Sequence, residues 1–296
     1  MLSVLKSVSD VNAEYIVIND GSTDTTGIIL SKFSSQIKVF TTENKGEANA
    51  VNLGIEKSNG EYSLIVNSDD PLISSELFHD SAQILDLDKK IVAVYPDWQI
   101  ISDVGEVIAI KVTENFSREL LIGEFNCLPG PGAIFRTQNA RIINGRNTIF
   151  RFGSDYDFWL RLSLHGDFKR IPKVLAQWRS HLDSTSINSK GLVMANERIK
   201  IIEDFISGSK IDKRLSRKAR AHAYYHAALL SYFSKDIPAR KWILKALFIQ
   251  RGWIKNSDLR ILLFCLFYPL SIYMLPIVNN TPLVNSLLKR RIPNKP

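Results

Sequence analysis

Acidic side chains follow two apolar stretches of strand length in the N-terminal third of this 296-residue chain. Asp20 ends the stretch Tyr-Ile-Val-Ile-Asn-Asp, and Asp69 and Asp70 follow Tyr-Ser-Leu-Ile-Val-Asn-Ser. In an open α/β sheet, ligands bind at the carboxyl ends of the strands. Carboxylate oxygens are the ligands that hard divalent cations take, and such cations keep positions open for phosphate oxygens. The two strand ends therefore predict a site for a divalent cation and a phosphate-bearing ligand.

Each of these acids also has a plain structural interpretation. Asp20 can form an Asx turn, with Ser22 or Asp24 capping the helix that follows. The pair Asp70–Pro71 can start a helix, because proline is favoured at the first helical position. Both interpretations stay open for Asp20, and for Asp70 the two can hold together.

A third carboxylate, Asp155, stands in the segment Ser-Asp-Tyr-Asp-Phe-Trp-Leu-Arg, whose apolar spacing predicts a helix over residues 158–164. A hydroxyl group is a poor nucleophile until a positioned carboxylate takes its proton, which accelerates a reaction roughly 10²- to 10⁴-fold. Asp155 is therefore the candidate general base. Asp157 should point elsewhere if the helix starts here, and Trp159 is expected in the core. The alternative is that Asp155 caps this helix.

Two basic side chains and a histidine complete the candidate set. Lys45 stands in an Asn-Lys-Gly turn as a mobile point charge for a base or a diphosphate. Arg179 suits bidentate contact with phosphate, and a neutral imidazole such as that of His181 can ligate a metal. Surface turns and solvated loop histidines have the same composition. Structural interpretations of Lys45 and His181 therefore stay open.

The elements that hold these residues alternate between strand and helix. The apolar patterns predict strands over residues 14–19, 38–41 and 62–66 and helices over 25–33 and 48–57. Such alternation favours a largely parallel sheet with helices on both faces. Further extended segments are predicted over residues 91–95, 98–102, 107–111 and 174–179. The candidate acids Asp20, Asp69 and Asp70 thus follow strands of one α/β domain.

The composition changes near residue 197 from alternating elements to long amphipathic helices. Residues 217–233 and 237–249 are predicted to form a helical hairpin. We therefore expect an α/β domain over residues 1–196 and a helical, basic region over residues 197–296.

The basic residues concentrate toward the C-terminal end. Residues 210–296 hold 17 Lys and Arg residues against three acids, which gives this part a formal charge of +14. Residues 1–209 carry −6, and the whole chain therefore carries +8. A basic segment of this kind contacts anionic lipid or nucleic acid, or forms a solvated helical face. Charge alone leaves these alternatives open.

An apolar segment, residues 261–278, contains no charged residue, and Lys289–Arg291 follow it. Its length is near the lower limit for a membrane span of about 20 residues, and Pro269 and Pro276 interrupt it. We therefore expect docking at the membrane interface, helped by the basic surroundings, and no nucleic-acid partner. A buried helical hairpin is the alternative.

The cysteines and the N-terminal residues indicate the cellular compartment of the protein. Cys127 and Cys265 lie far apart and lack the spacing of a zinc site or a disulfide framework. The first residues lack the basic start and apolar core of a signal peptide. Both features favour a cytoplasmic location, and the expected membrane contact places the protein at the inner face of the cell membrane.

The order and composition of three segments, Glu14–Asp24, Asn67–Asp70 and Asp155–Arg161, resemble the family 2 glycosyltransferases. These enzymes have the GT-A fold and move a sugar from a nucleoside diphosphate donor to an acceptor hydroxyl. The resemblance runs from about Glu14 to Ser186. It implies a Rossmann-like GT-A sheet, mostly parallel with helices on both faces, followed by a C-terminal α-helical region.

The resemblance also implies roles for single residues. Asp20 matches the acid that contacts the nucleobase, and Asp155 matches the catalytic base. Asn67 stands where many members have the first acid of the metal-binding motif, and an amide still offers a carbonyl oxygen. Nucleotide-sugar contacts are expected from Asp20, Ser22, Lys45, Asn52, Asp69, Gly132 and Arg179. Ligands for a Mn or Mg divalent cation are expected from Asp69, Asp70 and His181.

Together these roles imply a metal-assisted, hexosyltransferase-type enzyme that inverts the anomeric carbon. A UDP-sugar is the favoured donor, and a saccharide or lipid-linked saccharide is the expected acceptor. The setting implied is bacterial surface polysaccharide or glycolipid biosynthesis. The competing hypothesis is a non-catalytic binding protein at the membrane surface that keeps a degraded transferase fold.

Members of the family usually begin with a further strand that forms part of the nucleotide pocket. Only Met1–Ala13 precede the strand at Glu14 in this sequence. We therefore expect either a start farther upstream or a sheet that lacks a central strand. The second case predicts an unstable or inactive protein, because the neighbours of that strand would expose backbone groups and apolar surface.

Overall fold

The computed structural model describes residues 2–7, 11–124, 126–180, 191–233 and 239–250. His181, Cys265 and the apolar segment 261–278 lie outside the described residues. The chain divides into two compact units. The first, here called the α/β unit, contains residues 1–117 and 127–179. The second, the helical unit, contains residues 118–126 and the chain from residue 180 onward.

The described elements follow the predicted order of strand and helix. The strands are β1 (Ile16–Asp20), β2 (Lys38–Thr42), β3 (Tyr62–Leu64), β4 (Ile91–Ile101), β5 (Val107–Lys111), β6 (Ile134–Arg136) and β7 (Asp167–Arg179). The helices are α1 (Leu2–Ser7), α2 (Thr26–Ser31), α3 (Glu47–Lys57), α4 (Glu76–Leu87), α5 (Thr137–Ile142), α6 (Ser154–Leu162), α7 (Gly191–Gly208), α8 (Lys213–Phe233) and α9 (Ala239–Ile249). A π-helical turn spans Glu119–Gly123.

The α/β class and the C-terminal helices are confirmed, but the strand directions are more mixed than predicted. Strand β1 pairs parallel with β2, and β4 pairs parallel with β7. Strands β3 and β6, β4 and β6, and β4 and β5 pair antiparallel. The short connection between β4 and β5 requires an antiparallel pair, since parallel strands need a crossover of a dozen or more residues.

The described strands belong to two sheets instead of one. One sheet holds β1 and β2, and the other holds β3, β6, β4, β5 and β7. Within the described residues β1 pairs only with β2, and β3 pairs only with β6. The apolar strand β1, whose residues Ile16, Val17 and Ile18 are each half-buried, therefore has one unpaired edge in this part of the chain.

Aromatic rings form the core beneath α6. The Phe135 ring from β6 lies 5.1 Å from that of Phe158 and 5.9 Å from that of Trp159. Edge-to-face ring pairs of this kind contribute about 0.5–1.5 kcal/mol beyond the area they bury. The prediction that Trp159 is a core residue is confirmed, and Leu160 beside it is fully buried. This packing fixes α6, which carries Asp155, against the sheet.

A buried ion pair ties β4 to β7. The Asp97 carboxylate accepts hydrogen bonds from Arg170 Nη2 at 2.6 Å and from the Thr113 hydroxyl and amide at 2.7 and 2.8 Å. Burial alone raises the pKa of Asp97, but the hydrogen bonds from Arg170 and Thr113 outweigh it and hold the pKa below its usual range. Asp97 therefore stays ionised inside the fold.

Replacing Asp97 with Ala is expected to lower the free energy of unfolding by up to about 3–5 kcal/mol, because it leaves the half-buried Arg170 guanidinium without its partner. Urea unfolding followed by circular dichroism measures this. The Asp80→Ala variant removes a surface partner of Lys173 and should change stability by less than about 1 kcal/mol. Equal effects of the two substitutions would contradict the assignment. In the wild type the contribution of Asp97 is present above its unfolded pKa near 3.8 and is lost as the pH falls through its lowered folded value.

The helical unit contains a partly buried histidine, His226. Burial lowers the pKa of His226 to about 3, and the charge of Arg198 and the neighbouring His222 act in the same direction. A hydrogen bond with the Glu124 backbone opposes this shift without overcoming it. His226 is therefore neutral in the folded protein at neutral and mildly acidic pH.

The lowered pKa of His226 predicts acid sensitivity of the helical unit. Below about pH 6.5 the unfolded chain takes up a proton that folded His226 refuses until about pH 3, so stability falls by about 1.4 kcal/mol per pH unit across that window. Thermal unfolding between pH 7 and pH 4 measures the slope. A His226→Gln variant should show a shallower slope, and the control His165→Gln, which removes an exposed histidine, should not. Identical slopes in all three proteins would refute the assignment.

No helix among the described residues has both the length and the apolar composition that a membrane crossing needs. The expected docking segment at residues 261–278 lies outside that part of the chain.

Candidate functional site

The end of β1 is tied to the turn that precedes α3. The Asp20 carboxylate accepts the backbone N–H of Lys45 at Oδ1 and that of Gly46 at Oδ2, each at 2.8 Å. Gly21 has a φ of +72°, and a Cβ there would lie 2.5 Å from the Asn44 nitrogen. The two loops therefore touch, and Asp20 holds the exposed Lys45 side chain at the end of β1.

Asp20 does not form the Asx turn that was one of its two interpretations. That turn is made by Asn19, whose Oδ1 accepts the Ser22 N–H at 3.1 Å. Asp24 Oδ1 accepts the Thr26 N–H at 2.9 Å, but the N-cap of α2 is Thr25, so neither Ser22 nor Asp24 is the cap. Asp20 Oδ1 also accepts the Thr42 hydroxyl at 3.4 Å, whereas Oδ2 accepts a single N–H and still has acceptor capacity.

The turn after β3 buries a carboxylate. Asp70 is 8% exposed, and its Oδ1 accepts the backbone N–H of Arg179 while its Oδ2 accepts the side-chain amide of Asn67, both at 2.9 Å. Burial raises the pKa of Asp70, the negative charge of Asp69 adds to that rise, and the two hydrogen bonds oppose it. The fold therefore holds this carboxylate in surroundings that disfavour its charge.

Arg179, the last residue of β7, fixes this turn. Its Nε donates to the Asp69 carbonyl at 3.1 Å, and its Nη1 donates to the carbonyls of Ser102 and Asp103 at 2.9 and 2.7 Å. The guanidinium thus joins the acidic turn to the β4–β5 hairpin. Its Nη2 has no partner among the described residues and keeps donors for a phosphate, although the other contacts give Arg179 a structural role that its sequence did not indicate.

Asp155 is the second residue of α6 and is exposed. The N-cap of α6 is Gly153, so the interpretation of Asp155 as the cap is wrong. Its Oδ1 accepts the adjacent Tyr156 N–H at 2.7 Å. Asp157 is buried and binds Arg161 Nη2 at 2.6 Å, which confirms that it points elsewhere. A rigid helix therefore presents the Asp155 carboxylate to solvent.

The loop that leads to α6 is held by Asn52. The Asn52 side chain donates to the Arg146 carbonyl at 2.8 Å and accepts the Arg146 N–H at 2.7 Å. A Cβ at Gly145 would lie 2.2 Å from Asn52 Oδ1, so only glycine fits there. Arg146 also pairs with Glu47 at the start of α3. These contacts make Asn52 a positioning residue, which its predicted role in ligand contact did not include.

Gly132 precedes β6 and has a packing function. Its φ is +79°, and a Cβ there would lie 2.8 Å from the Ala176 Cβ and 3.0 Å from Pro96 Cγ. Both atoms belong to the central strands β7 and β4. The backbone of Gly132 therefore lies directly against the sheet, and its expected contact with a nucleotide sugar stays a prediction.

The structure joins Lys45 to the end of β1 through Asp20, and Asp69 and Asp70 to the end of β7 through Arg179. No three His, Cys, Asp or Glu side chains of the described residues group as metal ligands. Asp69 and Asp70 supply two carboxylates, which fits a cation such as Mg²⁺ that takes one or two carboxylates and completes its shell with water and substrate phosphates. The predicted third ligand, His181, lies outside the described residues.

Comparison with known proteins relates the N-terminal third of the chain to a known family. Residues 1–95 match the model of the glycosyl transferase family 2. This match covers Asp20, Lys45, Asn52, Asp69 and Asp70, and it confirms the resemblance that the sequence motifs indicated.

Curated relatives extend the similarity beyond residue 95. The chain is 28% identical over 190 residues to a hyaluronan synthase of Pasteurella multocida, covering 63% of this chain and 19% of that protein. It is 29% identical over 189 residues to an uncharacterized glycosyltransferase of Rickettsia typhi, covering 60% of this chain and 58% of that protein. The chain therefore spans less than two thirds of the length of these relatives.

Solved structures show the same fold. S. aureus TarS 1–349 has a TM-score of 0.57 and 16% identity, covering 97% of this chain and 82% of that one. The mannosyltransferase PcManGT from Pyrobaculum calidifontis, solved with GDP-Man and Mn²⁺, has a TM-score of 0.51 and 15% identity, covering 94% of this chain and 76% of that one. The GT-A-type fold predicted from the sequence is confirmed.

Proposed function

We propose that this chain transfers a sugar from a nucleoside diphosphate donor, with a UDP-sugar favoured, to a hydroxyl group of a saccharide or lipid-linked saccharide. One observation carries the proposal: the buried Asp70, beside the like charge of Asp69, at the end of β3 in a family 2 glycosyltransferase segment. Burying a carboxylate next to another acid destabilises a fold, and such arrangements cluster at functional sites.

Asp155 is the proposed general base. Its carboxylate takes the proton of the acceptor hydroxyl as the acceptor oxygen bonds to the anomeric carbon and the bond to the diphosphate breaks. Attack from the face opposite the leaving group inverts the anomeric carbon. The exposed position of Asp155 on a packed helix supports this role, because the carboxylate is accessible while its backbone is fixed.

Asp69 and Asp70, with His181, are the proposed ligands of a Mn or Mg cation. A divalent cation held there supplies positive charge that neutralises the diphosphate leaving group. The Nη2 donors of Arg179 and the Lys45 ammonium add positive charge for the same phosphates. Asn67 Nδ2 donates to Asp70, which directs its carbonyl oxygen away from that carboxylate.

The remaining proposed contacts surround the nucleotide and sugar. Asp20 meets the nucleobase with acceptor capacity left over from the turn it holds, and Ser22 lies exposed in the next loop. Asn52 and Gly132 act on the ligand through the backbone segments that they position.

The proposed setting is bacterial surface polysaccharide or glycolipid synthesis at the inner face of the cell membrane. Relatives that include a hyaluronan synthase and a chondroitin synthase support a polysaccharide product. Peripheral membrane contact is proposed for the basic C-terminal region. We further propose residues 1–196 as the catalytic domain and residues 197–296 as the helical region.

A donor screen by thermal unfolding tests the proposal. The full chain is heated with UDP- and GDP-sugars, with and without manganese, and with EDTA as control. A donor present at 100 times its Kd stabilises a protein by about 2.7 kcal/mol, so the correct donor should raise Tm by several degrees only when the cation is present. Failure of all donors to shift Tm would overturn the proposal and favour the non-catalytic alternative.

A further inference from the structure

A cavity of about 650 Å³ lies in the helical unit, between the first turns of α8 and the last turn of α9. The described residues that line it are Lys213, Arg214, Arg217, Phe248 and Gln250. Three of these five residues are cations and none is an acid. None of them has a role in the proposed sugar-transfer site.

These cations differ from the next basic residue of α8. Lys218 binds Glu119 at 2.6 Å and Glu124 at 2.8 Å, so its charge is neutralised within the fold. Lys213 and Arg214 have no ion-pair or hydrogen-bond partner among the described residues. Their charge is therefore available to an anion in the cavity.

A hydrogen bond to the C-terminal end of α9 orients the Arg217 side chain. Its Nε donates to the Ile249 carbonyl at the C-terminal end of α9, which fixes the guanidinium. Its two Nη groups have no partner among the described residues and remain as donors. The neighbouring acid Asp212 is used as a cap, because its Oδ1 accepts the Leu215 N–H at 2.9 Å. A fixed guanidinium loses less entropy on binding an anion than a free one.

The Gln250 amide oxygen and the Phe248 ring indicate which other chemical groups the ligand contains. Gln250 Oε1 is buried without a hydrogen-bond partner in the described structure. Such an atom costs about 1–3 kcal/mol until a donor reaches it, and a hydroxyl group of a ligand is a suitable donor. Phe248 is 83% exposed and offers an apolar wall to the carbon atoms of the same ligand.

We propose that this cavity binds a phosphate ester whose organic part carries a hydroxyl group. The phosphate oxygens accept from Lys213, Arg214 and Arg217, the hydroxyl donates to Gln250 Oε1, and the carbon atoms lie against Phe248. The group comes either from a phosphoglycerol lipid headgroup or from a soluble phosphorylated sugar or polyol. The binding is independent of the proposed transferase function.

Calorimetric titration of the full chain with glycerol 3-phosphate, inorganic phosphate and glycerol tests the proposal. Glycerol 3-phosphate should bind several-fold more tightly than phosphate, and glycerol should not bind. The double variant Lys213→Gln/Arg214→Gln should lose about tenfold in affinity for both phosphates. The Gln250→Leu variant should remove only the advantage of glycerol 3-phosphate over phosphate.

A charge-matched control distinguishes binding in the cavity from nonspecific electrostatic attraction of phosphate to surface cations. The variant Arg240→Gln/Lys241→Gln removes two exposed cations at the other end of α9 and should bind both phosphates like the wild type. Absence of binding in the wild type, or an equal loss in both double variants, overturns the proposal. Circular dichroism of each variant verifies that it is folded.

Sedimentation with vesicles distinguishes the two sources. Binding to phosphatidylglycerol vesicles, but not to phosphatidylcholine vesicles, that depends on Lys213 and Arg214 identifies the lipid headgroup. Titration with glycerol 3-phosphate that depends on the same two residues, without vesicle binding, identifies the soluble source. The donor screen on the same samples reports on the transferase proposal separately.

Discussion

The Asp155→Asn variant is expected to slow sugar transfer by about 10²- to 10⁴-fold while its affinity for the donor stays within about twofold. Asparagine keeps the size of the side chain and an acceptor for the adjacent Tyr156 N–H, so α6 should start unchanged. It cannot take the acceptor proton. Turnover by product formation and donor affinity by calorimetry separate the two effects.

Two further variants make this result specific. Asp155→Glu keeps a carboxylate but moves it by about one methylene, and it should recover part of the lost rate if proton transfer is the function of this residue. Asp204→Asn removes an exposed acid from α7 and should leave turnover unchanged. Unchanged turnover in Asp155→Asn would eliminate Asp155 as the base.

Local patterns predicted the elements better than their pairing. Strand β5 was predicted with its observed bounds, and α3 differs from prediction by one residue. The two strands predicted over residues 91–95 and 98–102 are one strand, β4, which continues through Pro96 because the register with β7 shifts there. Proline lacks an N–H and is tolerated at such irregularities. The pattern of apolar residues along a strand does not indicate whether the neighbouring strand runs parallel or antiparallel.

In the candidate site, too, the sequence predicted which residues take part but not which side chains pair. Residue types indicated that Asp70 and Arg179 belong to one site, but not that a carboxylate would accept an N–H from a residue 109 positions away. Asn52 was expected at the ligand, and the pairing of its side chain with the Arg146 backbone was not anticipated. These partners are set by tertiary packing between loops, and no local signal in the sequence specifies them. Asn52 and Arg146 lie 94 residues apart, which is beyond the range of any periodic pattern.

The Asp70→Asn variant is expected to lose at least about 10²-fold in transfer rate without a loss of stability beyond about 1 kcal/mol. Burial disfavours the charge of this carboxylate, so a neutral side chain of the same shape removes a cost of folding. Its carbonyl oxygen can still accept the Arg179 N–H, and rotation of the Asn67 amide restores the second hydrogen bond. The cation, by contrast, loses a charged ligand, so the manganese-dependent rise in Tm with donor should also disappear.

Substitution of Asp97 should have the opposite effects on stability and activity. Comparing the two variants shows whether Asp70 serves function or only structure. The Asp97→Ala variant should unfold more easily, yet the fraction that remains folded should transfer sugar at the normal rate, because Asp97 binds Arg170 and Thr113 within the core. Asp70→Asn should remain folded and inactive. If Asp70→Asn instead loses several kcal/mol of stability and keeps its activity per folded molecule, then the buried carboxylate serves only to hold Arg179. A fold stabilises a charge that it needs for structure by pairing it, as at Asp97, whereas a charge kept in unfavourable surroundings, as at Asp70, is expected where a ligand uses it.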